Sequence, residues 1–237
     1  MFTETKSDSA PPFIQNINMG WVEPFPSMFY CQVKFSVEQY DDELFTEFSI
    51  PFPNQLILAV VKRKAEYLAA RYAAQKALRL FGCNETPGTS SNRSPVWPSE
   101  WCGSLSHSDE CSIAVIAPKK SGMTPGVDIE FFAPETMRDT ADMFVSADEK
   151  YVLSDSGIDY TTALLLIFSV KESLFKALYP EVGRFFNFDA AKVCRIDTSN
   201  KKITLELTQN LSRNRITGSR IEGYYSISDG RVITVVA

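Results

Sequence analysis

YTTALLLIFSVKESLFKALY (160–179), followed by KKITLELT (201–208), IEGYYSI (221–227) and RVITVV (231–236), decides the fold class of this chain. The first segment runs twenty residues without Gly or Pro and is rich in Leu and Ala, which predicts a long helix ended by Pro180. The other three are short, alternate apolar with polar residues and favour β-branched and aromatic types. That pattern predicts strands of an antiparallel sheet with one buried face. A doubly wound sheet would interleave helices and strands regularly, so the arrangement reads as α+β.

Working outward, QLILAVVKRKAEYLAARYAAQKALRLF (55–81) predicts a second long helix. Its apolar face is expected at Leu58, Val61, Ala65, Leu68, Tyr72 and Leu78, with Gly82 and Asn84 as stop signals. Residues 28–37, 111–117 and 126–131 read as strands, and 135–153 as helical with a break near 145–146. Residues 1–20 read as an irregular arm and 84–103 as loop.

The chain has 237 residues, of which 44% are hydrophobic and 12% aromatic, and 24 Lys and Arg stand against 29 Asp and Glu for a net charge of −5. This excludes a disordered chain or a collagen-like repeat. An acidic chain is a poor general binder of nucleic acid or anionic lipid, so any anionic ligand must meet a local basic patch or a metal ion. The five cysteines are loosely spaced with no Cys-x-x-Cys, which points to thiols in a reducing cytoplasm. The first residues lack the apolar core of a secretory signal. The apolar runs 56–61 and 163–168 fall far short of the roughly 20 residues a membrane helix needs.

Four constellations could carry chemistry. In GVDIE (126–130), Asp128 and Glu130 stand two apart on one strand face, a donor pair suited to a hard cation such as Mg²⁺, while Val127 and Ile129 face the core. In FSVKESLFKAL (168–178), Glu172 sits in a strongly apolar helix four residues before Lys176. In SPVWPSEWCGSLSHS (94–108), His107 is the single histidine and adjoins Ser106, donors for a phosphate, while the chain has no Gly-x-Ser-x-Gly elbow for a hydrolase. In KRKAEYLAARYAA (62–74), Arg63 and Arg71 stand eight apart, about 80° around the helix axis, and could reach one cleft. Each has a bland alternative: a solvated acidic edge, a surface ion pair, a structural histidine, a solvated basic face.

Taken together and in this order, the four segments resemble the 4′-phosphopantetheinyl transferases, nearest to the type of the D component of enterobactin synthase. The resemblance covers roughly residues 55–180. The family often carries Trp and Ala where this chain has Phe168 and Ser173, and Ala-Gly-Arg where it has Ala69-Ala70-Arg71.

The resemblance implies a pseudo-two-fold α+β fold with two similar halves, residues 1–122 and 123–237, and the active site in the cleft between them. It implies Mg²⁺-dependent transfer of 4′-phosphopantetheine from coenzyme A to a serine of an apo acyl, aryl or peptidyl carrier protein, releasing adenosine 3′,5′-bisphosphate. On this reading Asp128, Glu130 and Glu172 hold Mg²⁺, and Glu172 is the candidate base, with Glu149 of SADEK in reserve. Lys176 holds the pyrophosphate or the pantetheine phosphate. Arg63, Arg71, Ser106 and His107, with Arg93, meet the 3′-phosphate or the adenine end. Phe185, Phe186 and Phe188, beside Arg184, form either a carrier-docking patch or a buried aromatic cluster. A siderophore or other nonribosomal peptide pathway, no membrane or nucleic-acid partner, and a cytoplasmic monomer complete the expectation. The alternative from another class is a coenzyme A- or carrier-binding module without turnover.

Overall fold

The computed structural model describes residues 1–237, which divide into two compact units, one of residues 2–123 and one of 124–237 together with Met1. The α+β expectation holds: each unit has a five-stranded antiparallel sheet and one long helix.

The first unit runs β1 (Phe2–Ala10), β2 (Ile14–Val22), β3 (Phe25–Phe35), α1 (Leu44–Glu47), α2 (Val61–Arg79), the two-residue strands β4 (Gly88–Thr89) and β5 (Pro95–Val96), β6 (Trp101–Ser108) and β7 (Cys111–Pro118). Its sheet has the order β1-β2-β3-β7-β6. The core lies between this sheet and α2. Ala65, Leu68, Ala69, Tyr72 and Ala73 pack with Phe29, Val33, Ala114 and Ile116. Alanine at 65, 69 and 73 removes side-chain bulk, so the helix can come close to the sheet, and the buried Leu68 contributes about 2 kcal/mol.

Two expectations are corrected here. Residues 1–20 are not an irregular arm but the β1–β2 hairpin. β2 buries Ile14, Ile17 and Met19, whereas β1 is polar and exposed and so gave no alternation to detect. The helix begins at Val61 rather than 55, after a single 3₁₀ turn at Asn54–Leu56. Leu58 is 97% exposed and Val61 54%, so neither belongs to the buried face. The expected loop 84–103 also contains the small β4–β5 hairpin and the start of β6.

The second unit runs β8 (Gly126–Phe131), α3 (Pro134–Thr140), α4 (Ala147–Asp155), α5 (Tyr160–Val182), β9 (Ala191–Asp197), β10 (Lys202–Leu207), β11 (Arg220–Ser228) and β12 (Arg231–Val236). Its sheet has the order β8-β12-β11-β10-β9. The helical break expected near 145–146 is the N-cap of α4. Ser146 Oγ accepts from Glu149 N–H while the Glu149 carboxylate accepts from Ser146 N–H, a capping box. α5 runs past Pro180 and ends at Gly183, whose φ of +67° is the left-handed conformation glycine adopts most easily. Val170, Leu174 and Leu178 of α5 pack with Ile203, Leu205, Tyr225 and Val232 of the sheet.

Candidate functional site

The acidic strand β8 pairs with β12 in unbroken antiparallel register, Asp128 opposite Thr234 and Glu130 opposite Val232. Directly opposed residues share a sheet face. Thr234 faces α5, because its hydroxyl bonds Ser169 Oγ at 2.9 Å and Ser173 Oγ at 2.7 Å. Asp128 and Glu130 therefore point to the side covered by α5. Val127 and Ile129 take the other face, both fully buried. Contact is close at Gly126, where a Cβ would fall 1.9 Å from the Ser173 carbonyl oxygen and 2.6 Å from Ala177 N. Only glycine lets the helix lie this near the strand.

That proximity places Lys176 against the acidic strand. Its ammonium donates to Asp128 Oδ1 at 2.7 Å and to the Val127 carbonyl at 3.1 Å. Asp128 is only 2% exposed, so the cation offsets a charge held out of water. Glu172, one turn before Lys176 on α5, is partly buried. Burial pushes its carboxyl above the ordinary glutamate range; Lys176 pulls it back and the negative charge of Asp128 pushes it up again. Asp128 and Glu172 are thus close enough to repel each other. Their oxygens are the hard donors that a divalent ion prefers, and a cation between them would relieve that repulsion, so the donor chemistry fits Mg²⁺. No three Asp, Glu, His or Cys side chains already converge as a finished ligand set. The Asp128 carboxylate is turned to Lys176 instead.

Glu149 is corrected from reserve base to structural tie. It is 1% exposed, and its oxygens accept from Lys171 Nζ at 2.8 and 3.0 Å and from the N–H groups of Ser146 and Val193, each at 2.8 Å. Lys171 also donates to the Phe144 carbonyl at 2.8 Å. The pair joins α4, α5 and β9, and so fixes the residue preceding Glu172. Lys171 escaped the sequence reading, although a lysine on the buried side of an apolar helix was the available signal. The three phenylalanines divide. Phe186 is buried, Phe188 packs on Phe144 and Phe168, and Phe185 is 71% exposed. They line a small pocket of about 180 Å³ that also touches Lys171, Glu172 and Phe175.

In the first unit, α2 and β6 bring other expected residues together. Arg63 Nη1 lies 2.9 Å from His107 Nε2. Glu66, one turn along α2, approaches His107 Nδ1 at 3.6 Å, Arg63 Nη1 at 3.8 Å and Lys62 Nζ at 4.0 Å. Burial raises the Glu66 carboxyl from its usual range, and Lys62 and Arg63 oppose this. Glu66 was absent from the expected site, though it stands within the matching segment.

Arg71 does not share this cluster. It is 5% exposed, stacks over the Tyr67 ring at 4.6 Å and donates to the Gly88 carbonyl at 3.0 Å and Thr89 Oγ1 at 2.9 Å. The expectation that Arg63 and Arg71 clamp one group is corrected: eight residues of helix span about 12 Å, and Arg71 anchors the β4–β5 hairpin instead. Arg93 stands exposed in the turn of that hairpin with φ +70°. Ser106 and His107 are also parted. They are successive residues of β6 in continuous register with β7, so their side chains leave opposite faces. His107 and Leu105 face α2, and Ser106 is buried on the other side, 7% exposed. Trp97 of the Pro-Val-Trp-Pro segment packs on Gly103, where a Cβ would come within 2.7 Å of its ring.

Residues 124–236 match the model of the 4′-phosphopantetheinyl transferase superfamily, and residues 52–117 match that of the 4′-phosphopantetheinyl transferase N-terminal domain. Enterobactin synthase component D of Salmonella typhimurium is 34% identical over 176 residues, 73% of each chain. The Salmonella typhi protein of the same name is 36% identical over 157 residues, 66% of this chain and 65% of that one, just under two thirds of the relative's length. The 4′-phosphopantetheinyl transferase Svp of Streptomyces mobaraensis is 29% identical over 199 residues, 80% of this chain and 79% of that one.

Proposed function

Because the chain belongs to the 4′-phosphopantetheinyl transferase superfamily, we propose that it transfers 4′-phosphopantetheine from coenzyme A to a serine of an apo carrier protein, leaving adenosine 3′,5′-bisphosphate. The observation that supports this best is the buried Asp128 beside Lys176 and Glu172, an acidic and basic cluster built where α5 presses on β8.

In the proposed reaction the serine oxygen attacks the β-phosphorus of the pyrophosphate, and the bond from that phosphorus to the bridging oxygen breaks. Such transfers depend on positioning and charge stabilisation more than on covalent help from the protein. Glu172 takes the serine proton, directly or through a water. Glu172 is the candidate for this step because it is a partly buried carboxylate on α5, one turn from Lys176. Lys176, which donates to Asp128 in the resting protein, would turn to a phosphate oxygen. Asp128, Glu130 and Glu172 would hold Mg²⁺, which when bound supplies Lewis-acid charge to the pyrophosphate oxygens. Arg63 and His107 take the 3′-phosphate, with Arg93 a further cation. Arg71 supports the hairpin that carries Arg93, and Ser106 contributes through its place in β6.

The similarity to enterobactin synthase component D suggests service to a siderophore or other nonribosomal peptide pathway. One chain carries both the acidic and the basic constellation, which favours a monomer. Thiols at Cys31, Cys83, Cys102 and Cys194 suit a reducing cytoplasm, and no helix is long and apolar enough to cross a membrane.

The test is to incubate the protein with coenzyme A, Mg²⁺ and several apo carrier domains and weigh the carriers. A gain of one phosphopantetheine is expected, and loss of the gain in Asp128→Ala. Coenzyme A binding without any gain on any carrier would turn the conclusion toward a binding module.

A further inference from the structure

The Arg63–His107 contact defines a protonation state. A guanidinium only donates, so with Nη1 2.9 Å from Nε2 that ring nitrogen must accept. His107 is then neutral, with its proton on Nδ1. Nδ1 faces Glu66 Oε2 at 3.6 Å, and the same oxygen lies 3.8 Å from Arg63 Nη1. From α2 the ring meets Arg63 and Glu66, and Lys62 approaches the other oxygen of Glu66 at 4.0 Å. From its own sheet the ring meets the position of Ser112 directly across on β7, with Val33 beyond it on β3. Glu110, in the β6–β7 turn, is engaged by the Val37 N–H at 2.7 Å.

A phosphate oxygen without a proton only accepts, and Nε2 of the resting ring has no hydrogen to offer. Binding there needs a proton on Nε2; moving the Nδ1 proton across would leave the bare Nδ1 facing the Glu66 carboxylate, so the ring gains a proton from solvent instead and releases Arg63, whose Nη1 then turns to the same anion. We propose that Glu66 is a positioning residue that couples phosphate binding at Arg63 and His107 to the uptake of one proton by His107. The inference rests on the reading that these two side chains receive the 3′-phosphate of coenzyme A. The proton comes from solvent and goes to Nε2, and no covalent bond of the ligand changes. Glu66 keeps its negative charge and steadies the imidazolium through Nδ1–H. The net charge of Lys62, Arg63, Glu66 and His107 rises from +1 to +2, matching a phosphate dianion.

The test is calorimetric titration of coenzyme A at pH 7.5 in two buffers of different ionisation enthalpy, which counts protons. At this pH a free imidazole is mostly neutral and a phosphate monoester mostly dianionic. Wild type should take up about half a proton or more per coenzyme A, and dephospho-coenzyme A, which lacks only the 3′-phosphate, close to none. Glu66→Gln should still bind coenzyme A but lose most of the uptake, and His107→Gln should lose all of it; a thermal melt of each variant checks folding. Tighter binding of coenzyme A than of dephospho-coenzyme A with no uptake, or undiminished uptake in Glu66→Gln, overturns the coupling alone. Equal affinity for the two ligands, or no binding of either, removes the 3′-phosphate reading beneath it.

Discussion

Lys176 Nζ sits 2.7 Å from Asp128 Oδ1 and 3.1 Å from the Val127 carbonyl oxygen, so one ammonium ties α5 to two consecutive residues of β8. The contact is structural in the resting protein and chemical in the proposed reaction. Lys176→Met would remove the ammonium that meets the buried Asp128 carboxylate beside the partly buried Glu172. The cost should be about 2–4 kcal/mol in urea unfolding, below the full buried-pair range because the lysine keeps a quarter of its side chain in solvent. Mg²⁺ should recover part of that loss in the variant and change wild type less; no difference between the two would argue against a cation site at Asp128.

The spacing of helix and strand depends on Gly126. Alanine there brings a methyl to 1.9 Å from a backbone oxygen, and backbone cannot rotate away as a long side chain can. Gly126→Ala should therefore cost about 3 kcal/mol or more and push α5 off β8. If the Lys176–Asp128 contact orders the site, transfer in the mass assay should fall even under conditions where the variant remains folded. Unchanged stability would show that the close approach is not required.

Breaking the Glu149–Lys171 pair from one side leaves a buried charge. Lys171→Met and Glu149→Leu should each cost about 3–5 kcal/mol, and the double variant should recover a large part of it. Recovery should be incomplete, because Glu149 also caps α4 and accepts from Val193 N–H. Additive losses in chemical denaturation would mean that the two residues act independently.

Glu172 links stability and pH. Its folded carboxyl lies above the ordinary value of 4.5, so near and above 4.5 the folded state holds more of this proton than the unfolded state. Stability contributed at this site then falls as pH rises from 4.5 through the folded value. Glu172→Gln removes the group. It should be more stable than wild type at pH 7, with the advantage shrinking as the pH falls toward 4.5. If Glu172 is the base, the same variant should lose about a hundredfold or more in transfer. Melting curves across pH that stay parallel for the two proteins would contradict the first part, and retained turnover the second.

Much of the candidate site could be picked out from the sequence because its residue types are unusual for their settings. Asp128 and Glu130 stand between Val127 and Ile129, and Glu172 stands in a helix that is otherwise strongly apolar. Periodicity then placed each on the correct kind of element. Partnership was not legible. Ser106 and His107 are neighbours in the chain but part to opposite faces because 101–108 forms a strand. Arg63 and Arg71 share a helix, yet one meets His107 and the other is buried under the β4–β5 hairpin. Glu149 read as a spare acid because its partner Lys171 lies 22 residues away on another helix.

By itself the amino-acid order determined the α+β class, the two long helices and most of the strands, because apolar periodicity is a local property and each element carries its own. It also determined which acids and bases were available. Tertiary structure alone decided which of them meet: that Lys176 neutralises Asp128, that Glu149 is consumed in holding α4, α5 and β9 together, and that Glu66 completes the Arg63–His107 cluster. The physical reason is that a charge interaction depends on separation in space and on local burial, and both are set by how closely a helix can lie on its sheet, at Gly126 by the absence of a single Cβ.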